Sequence, residues 1–265
     1  MVIKNRENLY RHPKIAIFIP TYNAAKTLPL VLDRIPSEIK TQVKEIFVAD
    51  DESKDNTYLV GIGYKEKTGL SNLKIFRHKK NKGYGGNQKW AYQYCIDRGY
   101  DIVVMLHGDA QYAPEKIPGL LKPFNSKNAK NIGMVFGSRM NGHPLRGGMP
   151  LYKFIGNKFL TFVENMVLNL NLSEYHSGYR AYNCNNLKKI PFQLCSDDFH
   201  FDTEIIIQLK LAGFDIRETP IPTYYGDEKC HVNAIGYGIN ILKSLYQYIL
   251  HKLDIKKLKK YEIKA

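Results

Sequence analysis

The stretch Asp101-Ile-Val-Val-Met-Leu-His-Gly-Asp-Ala-Gln111 joins two unlike halves. The first is an unbroken apolar run, the mark of a strand buried on both faces. The second places an imidazole, a carboxylate and an amide where that strand stops. Upstream the pattern recurs. Lys14-Ile-Ala-Ile-Phe-Ile-Pro20 is an apolar run halted by proline and followed by Thr21, Tyr22 and Asn23. Val43-Lys-Glu-Ile-Phe-Val-Ala49 runs into Asp50-Asp-Glu-Ser-Lys-Asp-Asn-Thr57. Helical stretches are expected at 24–32, 56–67, 86–98 and 114–124, with further strands at 73–77 and 133–137. Such alternation specifies an α/β fold with a mostly parallel central sheet flanked by helices. Ligands of such sheets sit outside the carboxyl ends of the strands, so the residues after each strand are the first place to look for a site.

Beyond Gly137 the rhythm changes. Residues 138–150 read as a long loop with Gly142, Gly147, Gly148 and two prolines. Helices are expected at 151–170 and 201–212, and a closing strand at 215–219. The segment 239–258 carries apolar residues at Ile239, Leu242, Leu245, Tyr246, Ile249, Leu250 and Leu253 with lysines between them, the spacing of an amphipathic helix. The organisation expected is one α/β domain over residues 1–231 and a basic amphipathic helix and tail over 232–265.

With 265 residues, 44% apolar and 24% charged, the chain can bury a substantial core, which excludes wholesale disorder. No apolar run approaches the roughly 18–20 residues of a membrane-spanning helix, and Met1 to Tyr10 has no signal-like apolar core. Four scattered cysteines without a CxxC pair fit reduced thiols better than a disulfide scaffold or a zinc knuckle. The expectation is a cytoplasmic protein. Thirty-nine Lys and Arg against 25 Asp and Glu give a net charge of +14, which favours anionic partners. The excess is concentrated after residue 240, where Lys243, Lys252, Lys256, Lys257, Lys259, Lys260 and Lys264 face only Asp254 and Glu262. A basic amphipathic helix of this kind suits peripheral contact with the anionic inner face of the cell membrane, or packing on the domain with a lysine fringe. A nucleic-acid partner is not expected, because no basic stripe interleaved with aromatics is present.

Two adjacent carboxylates, Asp50 and Asp51, leaving a buried strand require hydrogen bonds or a cation. Helix capping accounts for Asp55 or Asn56 but not for them. In an extended segment His107, Asp109 and Gln111 project to one side about 6–7 Å apart, a donor set able to hold Mn2+ or Mg2+, and Gly108 allows close approach to the backbone. The turn Asn81-Lys-Gly-Tyr-Gly-Gly-Asn87 opens a helix, where backbone amides and Lys82 suit phosphate oxygens. It is neither a Walker loop nor a dinucleotide fingerprint.

Together these motifs resemble family-2 glycosyltransferases of GT-A fold, within the dolichyl-phosphate-mannose-synthase-like group. The resemblance is carried, in order, by Ile19-Pro-Thr-Tyr-Asn23, Val48-Ala-Asp-Asp-Glu-Ser-Lys-Asp-Asn-Thr57, Asn81-Lys-Gly-Tyr-Gly85, Gly108-Asp-Ala-Gln111, Gly137-Ser-Arg139, Ser177-Gly-Tyr-Arg180, Phe201-Asp-Thr-Glu204 and Glu218-Thr-Pro-Ile-Pro222. It implies inverting transfer of a sugar from a UDP- or GDP-linked donor to a polyprenyl phosphate or a cell-envelope glycan. Pro20, Thr21, Tyr22, Asn23, Asp50, Asp51, Lys82 and Gly83 would then contact the nucleotide diphosphate. Asp109 would be the second acid of the family's Asp-x-Asp, holding the metal with His107 and Gln111. Here the chain departs, since His107 replaces the first acid and removes a negative charge. Retained binding with altered preference is expected over loss. Asp198 is the expected catalytic base if the acceptor is a hydroxyl, although Asp197 and Asp198 also suit capping of the next helix. Arg139, Arg180, Asp202, Glu204, Lys229 and His231 are expected on the phosphate and acceptor side, and Glu174 and His176 near the acceptor pocket. The competing readings are a sugar nucleotidyltransferase and a nucleotide-sugar-binding homologue without activity.

Overall fold

The computed structural model describes residues 13–224 and 233–263. The first half alternates as its sequence pattern demands: β1 (Ile15–Thr21), α1 (Leu28–Arg34), α2 (Ser37–Gln42), β2 (Glu45–Asp50), α3 (Thr57–Thr68), β3 (Leu73–Arg77), α4 (Gly83–Asp97) and β4 (Ile102–Met105). Then come α5 (Ile117–Leu121), β5 (Ile132–Ser138), α6 (Leu151–Leu168), β6 (Arg180–Asn183), α7 (Cys184–Leu187), α8 (Phe201–Leu211), β7 (Asp215–Pro220) and α9 (Ala234–Lys252). The seven strands form one sheet in the order β3-β2-β1-β4-β6-β5-β7. All pairings are parallel except those of β6, which runs antiparallel between β4 and β5.

Alternation along the strands divides the core into two layers. Ala16 and Phe18 of β1, Phe47 of β2 and Val103 and Met105 of β4 face α4, α8 and α9. Ile17, Ile19, Ile46, Val48 and Val104 face α1, α2 and α5 on the other side. Burying a Phe or Ile side chain contributes about 1.5–3 kcal/mol, so each face supplies strong register specification. The segment expected as an appended tail joins this core, with Ile241, Leu245, Tyr248 and Tyr261 buried in the first layer. Its helix runs 234–252 rather than 239–258. The boundary expected near residue 231 falls among residues outside those described.

A buried polar cluster links α6, α8 and α9 to the loop before β6. Thr203 Oγ1 donates to Glu164 Oε1 at 3.0 Å, His176 Nε2 stands 3.3 Å from Glu164 Oε2, and Tyr237 Oη meets His176 Nδ1 at 3.2 Å. Both Glu164 and His176 are buried, so the expectation that His176 lines an acceptor pocket is not met. Burial pushes the Glu164 carboxyl up to about 8 and the His176 imidazole down to about 4, leaving the pair uncharged at neutral pH. The unfolded chain ionises Glu164 near 4.5 while the fold keeps its proton, so this group costs stability as pH rises from 4.5 to 8. His176 acts oppositely, costing stability as pH falls below 6.5. The two slopes cancel between pH 4.5 and 6.5, and above 6.5 Glu164 acts alone, at roughly 1.4 kcal/mol per pH unit. Denaturant unfolding of wild type is expected to lose about 2 kcal/mol between pH 6.5 and 8, and Glu164→Gln should flatten that decline. Parallel pH curves for the two proteins would contradict this assignment.

Candidate active site

The carboxyl ends of β1, β2 and β4 lie side by side, and their ladders continue past the strands proper. Thr21 pairs with Asp50 in register, Asp51 N donates to Thr21 O, and Gly108 N donates to Pro20 O at 3.1 Å. Thr21, Asp50, Asp51, His107 and Asp109 are thereby gathered at one edge. Asp50 is fully buried; its Oδ1 accepts from the backbone and hydroxyl of Ser53, and its Oδ2 has Arg77 Nε at 3.5 Å but no hydrogen bond. Thr21 Oγ1 is likewise buried without a hydrogen-bond partner. Most buried polar atoms are hydrogen-bonded, so two unsatisfied ones at adjoining strand ends mark a position that suits a polar ligand.

Asn23 and Tyr22 follow β1 differently. Asn23 has φ of +54°, a conformation Asn tolerates, and knits the β1 and β2 loops together: its N–H donates to Ser53 Oγ and its Oδ1 accepts from Lys54 N. Tyr22 is exposed at the edge. Asp51 accepts from Lys82 N at 2.8 Å, and its carbonyl accepts from Asn81 Nδ2. Burial raises the Asp51 carboxyl above its usual range, outweighing the Lys82 N–H bond and the nearby His78 that favour ionisation.

The glycine-rich turn is not a phosphate cradle. It forms the first turn of α4, which begins at Gly83 rather than near residue 86. Gly83 N donates to Asn81 Oδ1, and Gly85 N and Gly86 N both donate to Asp197 O. The Gly85 and Gly86 N–H groups are therefore consumed by Asp197 and the Gly83 N–H by Asn81. A Cβ on Gly83 would sit 2.6 Å from Asp197 O, and one on Gly85 would collide with Ser196 O. These glycines exist to let the segment 196–198 approach. This corrects the nucleotide role expected for the Gly83 backbone; Lys82 retains an exposed side chain.

Asp198 lies in the segment that makes this approach. Its carboxylate is about half exposed, Oδ1 accepts from Phe199 N at 2.7 Å, and Oδ2 lies 3.9 Å from His200 Nδ1. Asp197 pairs with Lys89 at 2.6 Å. Phe199 stacks on Tyr84 with centroids 4.8 Å apart, and Tyr84 in turn touches His107.

His107 and Asp109 are close, with Nδ1 to Oδ2 at 3.9 Å. The extended spacing expected for Gln111 does not hold. Ala110 has φ of +64°, and the chain turns so that Gln111 N donates back to Asp109 Oδ1 at 3.1 Å. Gly108 accommodates the Thr21 methyl, not a ligand, since a Cβ there would lie 2.5 Å from Thr21 Cγ2. Among the described residues no three His, Cys, Asp or Glu side chains come together as a metal site.

Two expected phosphate contacts are structural instead. Arg180 is fully buried; it donates to the carbonyls of Ser177, Tyr175 and Asp202 and pairs with Asp202 Oδ1 at 3.3 Å. Its guanidinium is sealed beneath the edge, where no phosphate reaches. Glu204 is buried, accepting from Ser196 N and Ser244 Oγ and pairing with Lys260, so it clamps the C-terminal segment onto α8. Asp202 is buried under the site, accepting from Tyr84 Oη at 3.0 Å and Gln88 Nε2 at 3.3 Å. Arg139 is mostly covered and docks on Glu174 through its backbone N–H and its guanidinium. Glu174 is fully buried and also accepts from Asn157, which places it under Arg139 and not in an acceptor pocket. Lys229 and His231 lie outside the described residues. Tyr84 and Tyr112 were not singled out by the sequence, although Tyr112 Oη accepts from Gly178 N and its ring abuts His107 at 5.1 Å. The signal available was an aromatic inside each polar motif.

The comparisons with known proteins agree with this architecture. The chain is 27% identical over 252 residues to a UDP-N-acetylglucosamine–dolichyl-phosphate N-acetylglucosaminyltransferase of Methanococcus voltae, covering 90% of this chain and 96% of that one. It is 27% identical to an undecaprenyl-phosphate mannosyltransferase of Micrococcus luteus, covering 85% and 91%, and 26% identical to a polyprenol monophosphomannose synthase of Mycolicibacterium smegmatis, covering 87% and 84%. Its fold is similar to that of glucosyl-3-phosphoglycerate synthase from Mycobacterium tuberculosis in complex with Mn2+, uridine diphosphate and phosphoglyceric acid. The TM-score is 0.68 at 16% identity, covering 89% of this chain and 78% of that one. The family model for glycosyl transferase family 2 matches residues 16–191, the span that contains the six motif segments up to Arg180. With its α/β sheet and its acids ranged along one edge, the chain is a glycosyltransferase and belongs to glycosyl transferase family 2.

Proposed function

We propose that this glycosyltransferase moves a sugar with inversion from a nucleoside-diphosphate sugar to a polyprenyl phosphate at a membrane surface. The observation that carries the reading is the single sheet edge holding Thr21 Oγ1 and Asp50 Oδ2 unsatisfied beside Asp51, His107 and Asp109. Thr21 and Asp50 suit the nucleoside, Asp51 and the Lys82 side chain the ribose and diphosphate. The donor chemistry fits a divalent cation: an imidazole nitrogen and a carboxylate oxygen 3.9 Å apart, with remaining positions left for diphosphate oxygens and water. His107 and Asp109 would hold it, and one nitrogen donor favours Mn2+ over the harder Mg2+. Bound there, the cation would supply charge stabilisation for the departing nucleoside diphosphate.

The chain's own residues do the rest. An acceptor phosphate oxygen attacks the anomeric carbon, the carbon–oxygen bond to the diphosphate breaks, and the nucleoside diphosphate leaves. An ionised phosphate has no proton to surrender, so Asp198 positions the acceptor side and is needed as a base only for a hydroxyl acceptor.

The acceptor's location is supported by two neighbouring helices. α6 exposes Leu151, Tyr152, Ile155, Phe159, Phe162 and Met166, and α9 exposes Ile235, Ile239, Leu242 and Tyr246. Their only carboxylate is the buried Glu164, while Lys158, Lys243 and Lys252 are exposed. Apolar stripes fringed by lysine alone complement an anionic bilayer interface. No helix of the described residues is long and apolar enough to cross a membrane, so contact would be peripheral. In this reading α6 and α9 together form the membrane-facing side of the catalytic domain.

In a thermal-shift screen, one class of nucleoside diphosphate with Mn2+ is expected to stabilise the wild type, and chelation or Asp109→Ala should remove most of that shift. Asp109→Ala should also lower kcat by about 10²-fold or more. Indifference to every nucleotide would indicate a homologue without activity. Truncating α9 would damage the core, so membrane contact is better tested with Phe159→Glu and Tyr246→Glu at exposed positions. Flotation with vesicles containing anionic lipid is expected for wild type and should fall several-fold in the double variant. Equal flotation of the two would refute the membrane assignment.

A further inference from the structure

We propose that Tyr84 and Asp202 are positioning residues that fix the tautomer of His107, holding its proton on Nε2 and turning the Nδ1 lone pair toward Asp109. The inference deepens the metal-binding reading above and rests on it only for its consequence. Its basis is proton accounting along a three-residue chain.

Asp202 lies under the site with its Oδ1 3.3 Å from Arg180 Nη1, and a carboxylate so paired can only accept. Tyr84 Oη stands 3.0 Å from Asp202 Oδ2, so the single phenolic proton is committed there. The Tyr84 oxygen is then an acceptor for anything on its other side. What lies there is His107 Nε2, at 3.4 Å. A hydrogen bond between them needs the proton on Nε2, and a neutral imidazole protonated on Nε2 keeps its lone pair on Nδ1.

That lone pair falls on the side of Asp109, where Nδ1 and Oδ2 are 3.9 Å apart. The separation is too long for a hydrogen bond. It is within the reach of two bonds of about 2 Å each to a shared cation. Charge alone would favour the opposite tautomer, with an Nδ1 proton facing the Asp109 carboxylate and no nitrogen left to bind. The chain from Asp202 through Tyr84 opposes that choice.

The packing holds the imidazole in place for this. Tyr84 is stacked on Phe199, and the Tyr112 ring meets His107 edge-on with centroids 5.1 Å apart. Behind the ring the chain carries Gly178, where a Cβ would lie 2.5 Å from His107 Nε2 and 2.9 Å from Tyr84 Oη. Second partners of this kind commonly change metal affinity 10–100-fold by orienting a histidine ligand. With histidine in place of the first acid, the orientation becomes a requirement that a carboxylate with two equivalent oxygens would not have.

The test uses full-length protein labelled with 15N-histidine, with His107→Gln assigning the His107 signals. Long-range 1H–15N correlation at pH 8 without metal is expected to show His107 protonated on Nε2 in wild type and shifted toward Nδ1 protonation in Tyr84→Phe. That variant keeps the stacked ring. Titration with Mn2+ in the presence of UDP, read by electron paramagnetic resonance, should show a Kd about tenfold higher in Tyr84→Phe. In a His107→Asp background, Tyr84→Phe should leave Mn2+ affinity unchanged within about twofold, because no tautomer remains to be set. An Nδ1-protonated His107 in wild type overturns the proposal, as does equal weakening of Mn2+ by Tyr84→Phe in both backgrounds. An Nε2 tautomer that switches in Tyr84→Phe, in a wild type that binds no Mn2+, supports the positioning role and refutes the metal assignment.

Discussion

Carboxylates Asp50, Asp51, Asp109 and Asp202 lie at or just under one edge of the sheet, and the surrounding structure is organised around the cost of placing them there. A buried carboxylate is tolerated only with donors or a cation, and an unpartnered one costs several kcal/mol. Each is answered differently. Ser53 serves Asp50, the Lys82 amide serves Asp51, Arg180 and Tyr84 serve Asp202, and His107 stands by Asp109. What lacks a hydrogen bond is Asp50 Oδ2, which has only the Arg77 guanidinium at 3.5 Å, and the adjoining Thr21 hydroxyl. The distribution separates acids that hold the fold from acids that face a ligand. Glu204, although in a recognisable motif, falls in the first class, and Arg180 is buried with it as the partner of Asp202.

This division also shapes the backbone. The turn at 81–87 carries three glycines within four residues because the segment 196–198 must come close enough for the Asp197 carbonyl to cap α4. The same approach delivers Phe199 onto Tyr84 and leaves the Asp198 carboxylate exposed at the rim. A motif that looks like a phosphate loop thus acts as a docking seat for the segment 196–198. The helix terminus is spent on the protein's own chain.

Most of the sheet was legible in the sequence because β1, β2, β4 and β5 are continuous apolar runs bounded by proline, glycine or acids, and burial on both faces leaves no other way to place them. β6 was not. Its four residues begin with Arg180, and a short antiparallel strand carrying a charge has no periodic signature to read. α2 is six residues on a polar stretch and was equally silent. At the site, the positions of Asp50, Asp51, His107 and Asp109 followed from which strands they end. The extended geometry expected around Gln111 does not hold, because Ala110 adopts a left-handed turn that a sequence of this kind does not announce. The burial of Arg180 and Glu204 depends on long-range partners, Asp202 and Lys260, that no local pattern reveals.

The central claim is that this edge receives a diphosphate bridged by a cation on His107 and Asp109. Anomalous diffraction from crystals soaked with Mn2+ and a uridine or guanosine diphosphate tests it most directly. The account predicts an Mn peak within bonding distance of His107 Nδ1 and Asp109, touching the diphosphate, with the base beside Thr21 and Asp50. Nucleotide bound away from this edge, or an Mn2+ ion that ignores both side chains, would contradict it.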